Sequence, residues 1–324
     1  MSTLSPVDVP AAELTTAAAA LKALAADPGL RAGFLRSAGL RRLLAAPASR
    51  YIVAADRPEL WPRLSTLSAK GYRLGVEYVG EEVTDPAEIE GICREYLAVI
   101  AEADRPVQLG FDLSNVGLLV SRELAIANTE RILRAAAERD LPVVLSMERS
   151  DLVEAIIGVF AELAPRHDNL GLTMQAHLYR TDTDLVAVAR PGRRIRLVKG
   201  VYREAGAVAM PRGPALNERY AALAETLLDR GVLLACGTHD AALLSLLDRR
   251  GITGRLAEIE MLHGQQPALL RRYRERGVPC RVAAVYGANW WLHFLHRLSE
   301  YPRNVFTALA DLAEPGRIRF GGEY

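Results

Sequence analysis

Lysine is nearly absent from this 324-residue chain. Lys22, Lys70 and Lys199 are its three, and the other 37 of the 40 basic residues are arginine. A sequence that uses arginine wherever a generic cation serves makes each lysine conspicuous, Lys199 above all. Cysteine is scarce too: Cys93, Cys236 and Cys280 lie far apart, with no pair at the short spacing of a zinc or redox motif, which fits a reducing cytoplasm. There is no surplus of charge. Forty basic residues against 39 acidic give a net +1, too little for a broad positive field that would hold a phosphate backbone, so nucleic acid is not an expected partner. No apolar run approaches the roughly 20 residues that a bilayer requires. The Ala-rich start, Met1 to Asp27, is interrupted by Asp8, Glu13 and Asp27 and has no cationic stretch before an apolar run, so it does not read as a signal peptide. With half its residues hydrophobic and ordinary glycine and proline contents, the chain is neither disordered nor fibrous.

What is present is a repeated cadence. Residues 11–26 and 28–46 have helical spacing, with Pro28 where a first turn tolerates it, and predict a helical extension over 1–50. From 51 to 324 short apolar runs alternate with amphipathic stretches. Strands are expected at 73–78, 107–111, 142–147, 170–175, 194–198, 233–237, 256–261 and 280–284. Helices are expected near 59–69 and at 86–102, 122–139, 151–164, 183–189, 215–230, 241–250, 267–276 and 289–299. Eight strands, each followed by a helix, predict an α/β fold of the (β/α)₈ TIM-barrel type. A doubly wound sheet is the rival, but no G-x-G-x-x-G follows the first strand.

Barrel enzymes place their chemistry at the C-terminal ends of the strands, and polar residues recur there: Glu77, Asp112, Ser146, Glu148, Gln175, Lys199, Thr238-His239-Asp240, and Glu258 and Glu260 in the seventh strand. Arg196 and Lys199 on a strand that should be buried call for anionic or polar partners. Either a phosphate-bearing or electron-rich cofactor over the mouth or a salt-bridged barrel interior would supply them. On the last helix His293, His296, Arg297 and Glu300 share a face by i, i+3, i+4 and i+7 spacing. That face reads as a solvated stripe, or as two histidines and a carboxylate gripping zinc or iron.

At these residues the chain resembles the proline dehydrogenase family of FAD-dependent (β/α)₈ barrels. Arg196-Leu197-Val198-Lys199-Gly200-Val201-Tyr202 is similar to that family's R-L-V-K-G-A-Y. Gln175-Ala176-His177 resembles Q-A-Y, and Gly237-Thr238-His239-Asp240 resembles A-T-H-N. The run Glu258-Ile259-Glu260-Met261-Leu262-His263-Gly264 resembles E-F-Q-x-L-x-G, and the last helix Y-x-x-R-R-x-x-E. The resemblance implies FAD as cofactor, with Gln175, Arg196 and Lys199 at the isoalloxazine and its attached chain. Val198, Gly200 and Tyr202 belong to the same run, and Thr238 and His239 would lie toward the ribityl-phosphate. A cation beside the flavin stabilises the negative charge that accumulates as hydride arrives.

The departures cluster where the family holds proline. Asp112-Leu113-Ser114 stands where the family has a lysine in K-L-[ST], Ser146 where it has an aspartate, Ala283 where it has a tyrosine, and His293 and His296 where it has a tyrosine and an arginine. Leu197, Arg297 and Glu300 are kept. A histidine poorly replaces an arginine in planar carboxylate recognition, and Asp112 would repel a carboxylate. The expected activity is therefore hydride transfer to flavin N5 from a C–N or N–N bond of a small amino-acid-like amine or hydrazine other than free proline, as in secondary metabolism. Arg297 would hold an acidic group, Asp112 a basic one, and His293 or His296 would accept the amine proton. Ser146, Leu197 and Ala283 would line the substrate pocket, with room at Ala283 for a longer substrate, and a quinone, oxygen or a protein would take the electrons. Ordinary proline or hydroxyproline oxidation, a metal-dependent barrel hydrolase using His293, His296 and Glu300, and a non-catalytic flavin-binding barrel are the alternatives.

Overall fold

The computed structural model describes residues 10–80, 82–300 and 304–324. Strands β1 (Arg73–Tyr78), β2 (Val107–Phe111), β3 (Val143–Leu145), β4 (Leu170–Gln175), β5 (Arg194–Val198), β6 (Leu233–Gly237), β7 (Glu258–Leu262) and β8 (Cys280–Tyr286) form a closed barrel. Each strand pairs in parallel with the next, and β8 closes on β1 through registers such as Glu77 with Val285. Helices α1 (Ala11–Ala26), α2 (Pro28–Arg36), α3 (Ala38–Ala48) and α4 (Arg57–Ala69) precede the barrel. Then α5 (Pro86–Glu102), α6 (Arg122–Ala137), α7 (Val153–Leu163), α8 (Thr181–Val188), α9 (Pro214–Asp229), α10 (Ala241–Arg249) and α11 (Pro267–Glu275) alternate with the strands, and α12 (Trp291–Glu300) and α13 (Asn304–Ala313) follow β8.

The two faces of each strand do different work because side chains alternate across the pleat. Outward residues such as Leu109, Val143, Leu172, Ile195, Leu197 and Ile259 are fully buried with the inner faces of the helices in one large apolar core. Inward residues are largely polar. Near the N-terminal end Glu258, wholly buried, takes Arg73 and Arg194 at 3.0 Å and Arg281 at 2.8 Å. Burial alone would raise its pKa, but the three guanidiniums lower it below the ordinary carboxylate value.

Higher in the barrel Arg196 Nη1 donates to Glu260 at 2.7 Å and to Glu77 at 2.9 Å, while Gln108 Nε2 donates to the other oxygen of Glu260 at 3.1 Å. Gly110 makes room for this layer, since a Cβ there would lie 2.7 Å from Glu77 Oε1. Buried ion pairs of this kind specify one arrangement, and removing one partner costs about 3–5 kcal/mol.

The expected single helix over 28–46 is two. Ser37 leaves helical geometry and its side chain accepts from Leu40 N at 3.2 Å, capping the second. Residues 1–9 of the expected extension lie outside the described residues. The rest does not stand apart from the barrel. A second apolar cluster joins Phe34, Ala48, Tyr51 and Ile52 to Val285, Trp290, Phe294, Leu295 and Leu298. Arg50 clamps the wholly buried Asp311 of α13 with two bonds of 2.8 and 2.9 Å.

Candidate active site

The C-terminal mouth of the barrel divides into two halves. On the β4–β6 side Gln175 ends β4, its Nε2 donating to the Glu148 carbonyl at 2.6 Å while its buried Oε1 has no partner among the described residues. Both ring nitrogens of buried His177 are likewise unpartnered, and burial lowers its pKa. Its ring packs directly on Gly200, where φ is +106° and a Cβ would lie 1.8 Å from Nδ1. Only glycine permits that approach. Lys199 is ion-paired with Asp240, which also caps α10. Burial would raise the Asp240 pKa, but Lys199 and the backbone N–H groups of Ala242 and Leu243 together outweigh it and hold the carboxylate ionised. Val198 closes β5 and Tyr202 is partly exposed in the loop beyond. Buried Thr238 accepts from Asp240 N at 3.2 Å, and His239 Nε2 accepts from Leu262 N at 3.0 Å. Burial and then Arg297 push His239 down to about 3, so it stays neutral.

Arg196 lies lower than a residue simply flanking a ring across the mouth. Its five N–H groups serve Thr173 (2.9 Å), Glu77, Glu260 and Ser146 (3.1 Å), and the second hydrogen of Nη2 alone is left over. The salt-bridged interior and a contact with the mouth are thus combined in one side chain, with Ser146 at the mouth as the link.

On the β1–β3 and β8 side a cavity of about 100 Å³ is lined by Glu77, Asp112, Asn115, Ser146, Val285 and His293, among others. Asp112, Ser146 and His293 are therefore brought together as expected. Two expected pocket residues are not among the lining. Leu197 points into the helical layer: it pairs with Cys236, and Tyr220 of α9 bonds both the Leu197 carbonyl (2.6 Å) and Cys236 Sγ (3.1 Å). The pleat that turns Arg196 inward must turn Leu197 outward. Ala283 faces inward two residues along β8 from Arg281, and Val285 takes the wall position.

Arg297 of α12 pairs with Glu300 at 2.9 Å. It does not line the cavity, but it is close enough to His239, His293 and His296 to lower each of their pKa values. Burial, then Arg297, pushes His296 down to about 4 and His293 well below its usual value. Both remain neutral hydrogen-bonding groups and are weakened as proton acceptors, contrary to the expected role. The hydrolase reading finds no ligand set, since no three His, Cys, Asp or Glu side chains among the described residues gather as a metal site needs. Glu77, Glu148 and Asp240 are the residues whose roles the sequence left unassigned, and of these Glu77 lines the cavity; its signal was a carboxylate at a strand end.

A closed parallel barrel with a lysine and buried polar atoms, unpartnered among the described residues, on one half of its mouth and an acid-lined cavity on the other has the architecture of a barrel enzyme. The chain belongs to the proline dehydrogenase family, which it matches over residues 60–300, and it is a flavin-dependent oxidoreductase acting on CH–NH donors. It is 28% identical over 272 residues to proline dehydrogenase 1 of Bacillus subtilis strain 168, covering 82% of this chain and 90% of that one. To the Deinococcus radiodurans proline dehydrogenase it is 26% identical over 271 residues, covering 80% and 87%. Proline utilization A from Bdellovibrio bacteriovorus, solved after inactivation by N-propargylglycine, has the same fold. Its TM-score is 0.69 at 16% identity over 86% of this chain, which spans 35% of that longer protein. Among the described residues no helix is long and apolar enough to cross a membrane, and the three cysteines are free and buried.

Proposed function

We propose that this enzyme oxidises a small amino-acid-like amine, or the N–N bond of a hydrazine, with FAD as the hydride acceptor, and that free proline is a poor substrate. The observation that carries the reading is a cavity walled by two carboxylates, Glu77 and Asp112, at the place where the family resemblance leads one to expect a lysine. A substrate carboxylate within about 4 Å of Asp112 in a partly screened site would be repelled by roughly 1–4 kcal/mol, whereas an amine or hydrazine N–H would be held.

The residues fit the cofactor. Gln175 Oε1 and the His177 nitrogens are buried and unpartnered, and Gly200 lets the chain approach closely. Gln175, Lys199, Gly200 and His177, with Thr238, His239 and Tyr202 nearby, would hold FAD. When bound, FAD supplies a two-electron acceptor at N5. Arg196, tied from below by Glu77 and Glu260, presents a fixed positive charge, which burial opposes and the two carboxylates strengthen. Asp112 orients the amine through its N–H groups, and neutral His293 accepts a hydrogen bond from the substrate. Arg297, outside the cavity lining, acts through its charge on His293 and His296. A quinone, oxygen or a protein completes the cycle as outside acceptor.

The test is the absorbance spectrum of the purified protein, then anaerobic titration with L-proline, hydroxyproline, acyclic amino acids and substituted hydrazines. Bleaching by one of the latter two classes at a kcat/KM above that for L-proline is expected. If L-proline is the best donor, ordinary proline oxidation replaces this reading; the similarity to the Bacillus enzymes over nine-tenths of their length favours that alternative.

A further inference from the structure

One wall of the cavity is not built by the barrel. Arg31 of α2 lines it, together with Asn289, Leu292 and His293, while Glu77, Asp112 and Ser146 are supplied by the ends of β1, β2 and β3. Local rules bring Arg31 there. Asp27 caps α2 by accepting from Leu30 N at 2.8 Å, and Pro28 occupies the first turn. Phe34, three residues beyond Arg31 and so on the same face of the helix, is buried against Trp290 and Trp291 with ring centroids 4.7 and 5.1 Å away. Burying Phe34 turns Arg31 to the mouth. Asn289 Oδ1 accepts from Arg31 Nε at 3.3 Å, and the partly exposed Glu88 lies 3.9 Å from Nη2, so the planar fork is oriented by an amide rather than neutralised at contact distance.

The cavity lining therefore carries both signs of charge, Arg31 from the extension and two carboxylates from the barrel. Its 100 Å³ is space for roughly three water-sized groups at ~30 Å³ each, so that only a small substrate fits. Resting on the reading of this cavity as the substrate site, we propose that Arg31 of the N-terminal extension is a specificity-determining residue. It takes the acidic group of a small zwitterionic substrate whose amine end lies at Asp112 and Glu77. The substrate class is thereby narrowed to amino acids or hydrazino acids with a free acid group, and neutral amines are disfavoured.

The experiment uses the flavin-loaded full-length enzyme and acid–carboxamide pairs: glycine, sarcosine, β-alanine and L-proline, each with its amide. Perturbation of the flavin spectrum is read without turnover, and bleaching is read separately. For at least one pair the wild type should bind the acid at least tenfold more tightly than the amide. In Arg31→Gln that ratio should fall about 10- to 100-fold, as expected for loss of a charged hydrogen-bonding partner, and Arg31→Lys should recover part of it. The inference is overturned if no acid perturbs the wild-type spectrum in preference to its amide. It is equally overturned if the ratio survives in Arg31→Gln, or if acid and amide weaken alike, which would mean that Arg31 only packs α2. Acid-selective perturbation that depends on Arg31 but brings no bleaching by any amine would leave this inference standing and remove the proposed oxidation. Bleaching with an unchanged ratio would do the reverse.

Discussion

The two halves of the barrel mouth are made from the same βα unit and end in opposite chemistry. The β4–β6 half presents a lysine, buried polar atoms without partners and a glycine against an imidazole. The β1–β3 and β8 half presents carboxylates and adds to its lining a cation from α2, far away in sequence. The first half is self-contained, its groups lying between Gln175 and Asp240. The second is composite, because α12 and the N-terminal extension must both dock before its cavity has a lid. A self-contained half suits a constant ligand, and a composite half is where a family can change what it accepts. Arg196 ties them together through Ser146 and Glu77.

The sharpest way to break the comparison is Arg196→Met. It leaves Glu77 and Glu260 facing each other without their cation, and about 3–5 kcal/mol of stability should be lost, read as a shift in the urea midpoint. A loss below about 1 kcal/mol would mean that the halves are independent. Gly200→Ala should act on one half alone. The residue must adopt a left-handed conformation and displace His177, at about 1–3 kcal/mol, and the purified protein should lose most of its flavin absorbance while the acid-lined cavity stays intact.

Asp112→Lys probes the other half. Flavin content should hold while kcat/KM for L-proline rises about tenfold, the equivalent of about 1.4 kcal/mol; no rise would show that Asp112 does not set the charge preference.

A fourth test is in pH. His239 on the flavin side and His296 on α12 have folded pKa values of about 3 and about 4, both lowered first by burial and then by Arg297. Depressed histidines are neutral in the fold and protonate in the unfolded chain below about pH 6.5. Stability is therefore lost as pH falls, by up to about 1.4 kcal/mol per unit for each. The His296 contribution should level off near pH 4 and the His239 contribution near pH 3. Urea midpoints between pH 7 and 4.5 for His239→Gln and His296→Gln should show a shallower slope than the parent.

Much of the barrel was legible because each strand is a short β-branched or leucine-rich run bounded by turn residues. β1, β2, β4, β5 and β6 fall where the pattern put them. Ser37 was missed as a break because the stretch around it keeps helical periodicity, and only its capping bond reveals two helices. At the site, strand ends announced Asp112, Ser146 and Gln175. Leu197 was misplaced because a motif gives neighbours along the chain, while the pleat decides which face each one meets. Arg31 carried no signal at all: in an arginine-rich sequence one more arginine on an amphipathic helix is unremarkable until α2 is seen lying against Trp290 and Trp291. Of the histidines of the last helix, His293 lines the cavity and His296 does not, and their weakness as bases follows from burial, which spacing does not report.

The lumen of this barrel is filled by a ladder of opposite charges instead of aliphatic side chains, running from Glu258 at the floor through Glu260 and Arg196 to Glu77 at the cavity wall. Such a ladder is inherited as a unit. Exchanging one rung strands its neighbours, so single substitutions along it should be far from additive, and a viable descendant must alter rungs in compensating sets. Drift in substrate preference is thereby confined to the rim, where a side chain can change without a matching change beneath it.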